Sequence, residues 1–95
     1  MQIQEIIWLD EVEDKIFRKH QVWPDEAEEV LLGHPHVRFM ERGHQPDEDL
    51  YAAFGQTTSG RYLAVFFLLK PHNVALIITA RDMTGKERRR YGKKH

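Results

Sequence analysis

Residues 61–81 read RYLAVFFLLK-PHN-VALIITAR. The first ten are apolar at positions of both parities and rich in the aromatic and branched side chains that suit a pleated surface. A strand apolar on both faces is central, covered at least in part on each side. PHN turns the chain, and VALIITAR is a second strand of the same kind. So short a joint makes the two antiparallel neighbours.

Working outward, LYAAFGQT (50–57) reads as a further strand, closed by the turn TTSG (57–60), and VRFM (37–40) as a short one. Between them lies a polar loop, ERGHQPDED, containing Pro46. Ile6, Ile7 and Trp8 suggest a short first strand or extended arm. Asp10, with Glu13 three residues later, has capping-box spacing and predicts a helix over 11–20. Val12, Ile16 and His20 fall on one face of it and Phe17 widens the stripe, while Lys15, Arg18 and Lys19 lie elsewhere. Pro24 suits the first turn of a second helix, and Asp25 and Glu26 favour its positive end. Ala27, Val30 and Leu31 form its apolar face, and Gly33 and Pro35 stop it. Thr84 and Glu87 repeat the capping-box spacing and open a last helix, KERRRYGKK, made marginal by Gly85 and Gly92. The expected order is β-α-α-β-β-β-β-α: an α+β domain whose antiparallel meander carries helices on one face, ending in a short basic C-terminal helix.

Ninety-five residues make a single domain, 1–95, with one modest core. No apolar run approaches the roughly 20 residues of a membrane span, and the acidic N-terminus is unlike a signal peptide. With no cysteine, neither disulfides nor thiolate zinc can hold the fold, which suits the cytoplasm. The net charge of −1 hides an asymmetry, for residues 81–95 carry seven of the 14 lysines and arginines against two acids. The plain reading of that tail is a solvated basic helix; the functional one is a local nucleic-acid footprint. The acidic segments 10–14 and 25–29 are most simply solvated faces, and they would also confine RNA to the opposite, basic side. No phosphate-loop, nucleophile-elbow or dinucleotide-binding glycine motif occurs.

In order and spacing the chain resembles the BrnT-type toxins of bacterial type II toxin–antitoxin systems, which share the compact RelE-like ribonuclease fold. The matching residues are Ile7-Trp8 before an acid and Lys15; Lys19-His20 with Val22; Glu26-Ala27 and Val30; Gly55; Gly60-Arg61 with Leu63; Ile78-Thr79-Ala80-Arg81; and Glu87-Arg88 with Tyr91. Two positions depart: Leu50 stands where the family usually has arginine, and Gln21 where glycine is common. The resemblance implies an endoribonuclease that inhibits translation by cutting RNA such as mRNA. It also implies a cognate antitoxin, often ribbon-helix-helix, and a toxin–antitoxin complex able to bind its own operator.

RNA cleavage without metal needs a deprotonated 2′-hydroxyl, cations on the phosphorane, and a proton for the 5′-oxygen. Arginine's planar fork suits phosphate best. Arg61 and Arg81 flank the two central strands at the same end of the sheet, with Arg88 on the helix that begins there. His20, assisted by Lys19, is the first choice for proton transfer, with Tyr91 as a further candidate; Glu87 reads better as a cap. Lys86, Arg89, Arg90 and Lys93 complete the RNA-binding set. Each has a structural alternative: arginine paired with Asp82 or other acids, His20 favoured by its helix end, Tyr91 packed on the sheet. Arg81 is expected to face solvent, so its loss should leave stability nearly unchanged. His34-Pro-His36 and His44 are assigned to loops, and neither metal nor other cofactor is expected. A free strand edge at residues 37–41 could accept a partner's strand, and a homodimer or toxin–antitoxin hetero-oligomer is open.

Overall fold

The computed structural model describes residues 1–94; His95 lies outside the described residues. The elements follow in the order β1 (Glu5–Ile7), α1 (Asp10–His20), α2 (Pro24–Leu32), β2 (His36–Glu41), β3 (Leu50–Gln56), β4 (Tyr62–Lys70), β5 (Val74–Asp82) and α3 (Gly85–Lys94), with a 3-10 turn, Pro71–Asn73, between β4 and β5. They form one five-stranded sheet in the order β1-β5-β4-β3-β2. The meander β2 to β5 is antiparallel, and β1 adds to β5 in parallel. The strand apolar on both faces, β4, is the middle strand of five, as its composition requires. Among the described residues no helix is long and apolar enough to cross a membrane.

The two faces are covered differently. On one, α1 and α2 bury Val12, Ile16, Ala27, Val30 and Leu31 against Ala53, Leu63, Val65, Phe67, Ala75, Ile77 and Ala80. The expected helical layer is therefore made by α1 and α2. The basic α3 crosses the opposite face, where Tyr91 packs with Ala52, Phe54, Ala64, Met83, Tyr62 and Phe66. Gly55 lets α2 approach β3, since a Cβ there would lie 2.9 Å from Val30 Cγ1; any larger residue would push the helix off the sheet.

Asp10 does not cap α1. The cap position is the extended Leu9, without a side-chain hydrogen bond, and Asp10 is the first helical residue. Its charge, with Glu11 and Glu13, still favours the positive helix end. At the other end Gln21 adopts the left-handed conformation, φ 52°, where glycine costs least. The third cap forms as its spacing predicts: Glu87 N donates to Thr84 Oγ1 at 3.1 Å, and Thr84 N to Glu87 Oε1 at 2.9 Å.

An irregularity in β5 decides where its last residues point. Phe66 pairs with Thr79 and Phe67 with Ile77, so Ile78 is an extra residue. Such a bulge changes which parity faces which side. Ala75 and Ile77 face α1 and α2, and beyond the bulge Ala80 does so too. Arg81, opposite Ala64, thus turns toward α3, and Asp82, opposite Leu63, toward α1.

Candidate active site

Arg61 and Arg81 lie at the same end of the sheet, but on opposite faces. Arg61 precedes β4 and turns toward α1 and α2. Its Nε donates to Asp82 Oδ1 at 2.8 Å and its Nη2 to Asp82 Oδ2 at 3.3 Å. Nη1 donates to the Gln21 carbonyl at 2.6 Å and Glu26 Oε1 at 2.9 Å, and Nη2 also to the His20 carbonyl at 3.0 Å. A guanidinium has five N–H donors, and these five bonds match them one for one. Arg61 therefore ties the end of α1, the start of α2 and the end of β5 together. Its hydrogen bonds hold the Asp82 carboxyl below the usual carboxylate range, with its charge and that of His20 adding to the effect against some desolvation. His20 is half-buried beside this clamp and Lys19 is exposed.

Arg81 faces α3. Its Nη1 and Nη2 meet Glu87 Oε1 and Oε2 at 2.7 and 3.0 Å, and Nη1 also donates to the Asp82 carbonyl at 3.1 Å. Its guanidinium carbon lies 5.0 Å from the centre of the Phe66 ring. Arg81 is thus half-buried and not solvent-facing, because the bulge turns it under the helix. The hydrogen bonds from Arg81 lower the Glu87 carboxyl pKa, burial opposing and the Thr84 backbone assisting. Arg88 lies 4.0 Å over the Tyr62 ring, and Tyr91 meets Tyr62 edge to face at 6.0 Å. Lys86, Arg89, Arg90 and Lys93 are exposed on α3 and line a shared shallow depression.

Between α3 and the sheet runs an open cleft of about 220 Å³, lined by His36, Arg38, Phe54, Thr84, Lys86, Glu87, Arg90 and Tyr91. It is smaller than the roughly 300–1,000 Å³ of a small-molecule pocket, and suits a segment of a longer chain. Lysine and arginine supply positive charge, Tyr91 a phenol, and His36 an imidazole with a nitrogen that can accept or donate a proton. Of the residues expected from sequence, Lys86, Arg90 and Tyr91 meet here, with Arg81 beneath Glu87. Lys19, His20 and Arg61 belong to the other side of the sheet end.

His36 and Arg38 line the cleft but were not among the residues expected from sequence. His36 is not in a loop: it opens β2 and pairs with Phe54, while Arg38 pairs with Ala52. Phe54 and Ala52 belong to the α3 face, so both side chains share it. The alternation of His36 and Arg38 with Val37 and Phe39 was the available signal, obscured by Pro35. Among the described residues no group of three His, Asp or Glu is placed to hold a metal ion.

Comparison with known proteins bears on this arrangement. The family model described as "Ribonuclease toxin, BrnT, of type II toxin-antitoxin system" matches residues 8–87. The chain belongs to the BrnT family. The crystal structure of the Brucella abortus ribonuclease toxin BrnT, at 1.1 Å resolution, shares the fold with a TM-score of 0.62. The two are 19% identical, over 85% of this chain and 97% of that one. A search of curated proteins finds no match. The BrnT match spans both central strands and the cap of α3, and residues 88–94 lie beyond it. Most of the basic helix that roofs the cleft is therefore outside the matched segment.

Proposed function

We propose that this chain is a toxin that acts as a metal-independent endoribonuclease, lowering translation by cutting RNA, mRNA included. The observation that carries the reading is the cleft, a channel open to solvent that combines cations with proton-transfer groups. An RNA strand crossing it meets Lys86 and Arg90 on its phosphates, with Arg88, Arg89 and Lys93 extending the track along α3. Tyr91 stands at the reacting phosphodiester. Arg81 acts through Glu87, holding α3 in place. Two imidazoles border the path: His20, with Lys19, beyond the sheet end, and His36 inside the cleft. Family membership supports an antitoxin partner, for which ribbon-helix-helix is our expectation. An acidic antitoxin segment would compete with RNA for the cleft. The edge strand β2, which among the described residues pairs with β3 alone and shows Phe39 and Met40 to solvent, supports strand addition as a second mode. The cytoplasm is the compartment such a toxin needs.

The structure changes which variant tests this. Arg81 is half-buried and bonded to α3, so its removal would confound folding with function. Lys86→Ala with Arg90→Ala removes two exposed charges and should leave the melting temperature nearly unchanged. Induced expression of wild type should arrest growth and degrade total RNA, and the double variant should not. A second reading, a non-catalytic binding module, draws on one observation: every Arg61 donor is already occupied by protein. Intact RNA and normal growth with folded wild-type protein would select it.

A further inference from the structure

We propose that His36 is the proton-transfer residue of the cleft and Arg38 its sheet-side phosphate cation. This rests on the ribonuclease reading above and deepens it by naming the groups on the wall opposite α3. The register places them. His36 pairs with Phe54, Phe54 with Ala64, and Ala64 with Arg81, a single row across four strands. The next row runs Arg38, Ala52, Phe66, Thr79. With strands roughly 4.8 Å apart, His36 and Arg81 stand about 14 Å from one another, and α3 lies over the row. Arg81 is therefore at the far side of the cleft from His36, while Arg38 is the next residue along β2 on the same face.

Among the described residues that line the cleft with His36, the other groups do not supply a base. From α3, Lys86 and Arg90 are cations. Glu87 is bonded through both oxygens to Arg81 and through Oε1 to Thr84 N, and those bonds favour its charged, weakly basic form. The Tyr91 phenol is an O–H donor and enters as the acid. From the strands, Arg38 is a cation and Phe54 is apolar. The His36 imidazole, in the cleft wall, has a ring nitrogen that can accept a proton.

The step balances as follows. Neutral His36 takes the 2′-hydroxyl proton as O2′ bonds to phosphorus. The bond from phosphorus to O5′ breaks, and Tyr91 gives its proton to the departing oxygen. Arg38, Lys86 and Arg90 offset the charge on the non-bridging oxygens throughout. The products carry a 2′,3′-cyclic phosphate and a 5′-hydroxyl; His36 then releases its proton to solvent and Tyr91 regains one.

The test is cleavage of a mixed-sequence transcript by the full chain, with translating ribosomes supplied in a parallel set, and retention of the same transcript measured by gel shift. His36→Gln should cut cleavage about 100-fold or more, with RNA retention and melting temperature held. It should also remove the acid limb of the pH–rate profile, and added imidazole should partly restore His36→Gly. His72→Gln, at the exposed turn after β4, controls for loss of a histidine. Cleavage by His36→Gln within about threefold of wild type, or a 100-fold loss in His20→Gln instead, overturns the assignment and leaves the ribonuclease reading standing. Intact transcript with wild type in both sets overturns both.

Discussion

At the scale of single residues, the two arginines flanking the central strands are opposites in setting though alike in sequence. Arg61 is saturated by two carboxylates and two carbonyls, which no solvent-facing phosphate ligand would be. Removing it leaves the end of α1 and the start of α2 without their tie to β5. Arg61→Ala should lose about 2 kcal/mol or more of stability in urea denaturation, because hydrogen bonds to charged groups are worth roughly 1.5–3 kcal/mol each and several go together. Arg61→Lys should recover little, since an ammonium cannot span both Asp82 oxygens and two carbonyls at once. A fully stable Arg61→Ala that has lost RNA cleavage would return Arg61 to the reacting centre. Gln21 belongs beside it: its left-handed backbone aims a carbonyl at the guanidinium, so the position is set by what Arg61 needs.

At the scale of elements, α3 is the question. With two glycines in ten residues, it is a poor helix by itself. It is held by the Thr84–Glu87 box, the Arg81 fork, Arg88 over Tyr62, and Tyr91 packed beside it. Glu87 takes part in two of these, and its pKa gives the sign of the pH response. A carboxyl held below its unfolded value, about 4.3, stabilises fully above that pH and loses its contribution as pH falls through the folded value. Wild-type melting temperature should therefore drop below about pH 4.3, and Glu87→Gln should be less stable at pH 7 with a shallower acid drop. Asp82, shifted the same way by Arg61, keeps part of the drop in the variant. Identical pH dependence in the two proteins would remove Glu87 from the account of how α3 is held.

At the scale of the whole molecule, charge is divided between faces. The acidic segments of α1 and α2 cover one side of the sheet, and Lys86, Arg89, Arg90 and Lys93 of α3 lie on the other. An overall charge of −1 thus coexists with a surface that attracts a polyanion on one side alone. The salt dependence of RNA binding should report that surface. Each phosphate contact on a single strand contributes about 0.7 to the slope of log affinity against log salt, so Lys86→Ala with Arg90→Ala should flatten it by about 1.4. An unchanged slope would move the RNA off this face. The family match ends at residue 87, so much of this electrostatic surface lies past the segment by which the chain is recognised.

Much of this was determined by sequence alone. The antiparallel meander followed from the short joints between its strands, and the central place of β4 from its being apolar at both parities. The cap of α3 followed from Thr84 and Glu87, because a capping box is local chemistry needing no distant partner. The same spacing at Asp10 failed, since Leu9 took the cap position, and local propensity does not fix a helix start to one residue. The site was only partly legible. Lys86, Arg90 and Tyr91 could be read from the basic tail, but His36 looked like a loop residue beside Pro35, and its facing depends on pairing with Phe54. The separation of Arg61 from Arg81 was decided by tertiary structure. A strand apolar on both sides has no pattern to show which parity points where, so VALIITAR carries no trace of its bulge. Ile77 and Ala80 both pack against α1 and α2, the extra residue between them is accommodated at Ile78, and Arg81 is turned under α3 as a result.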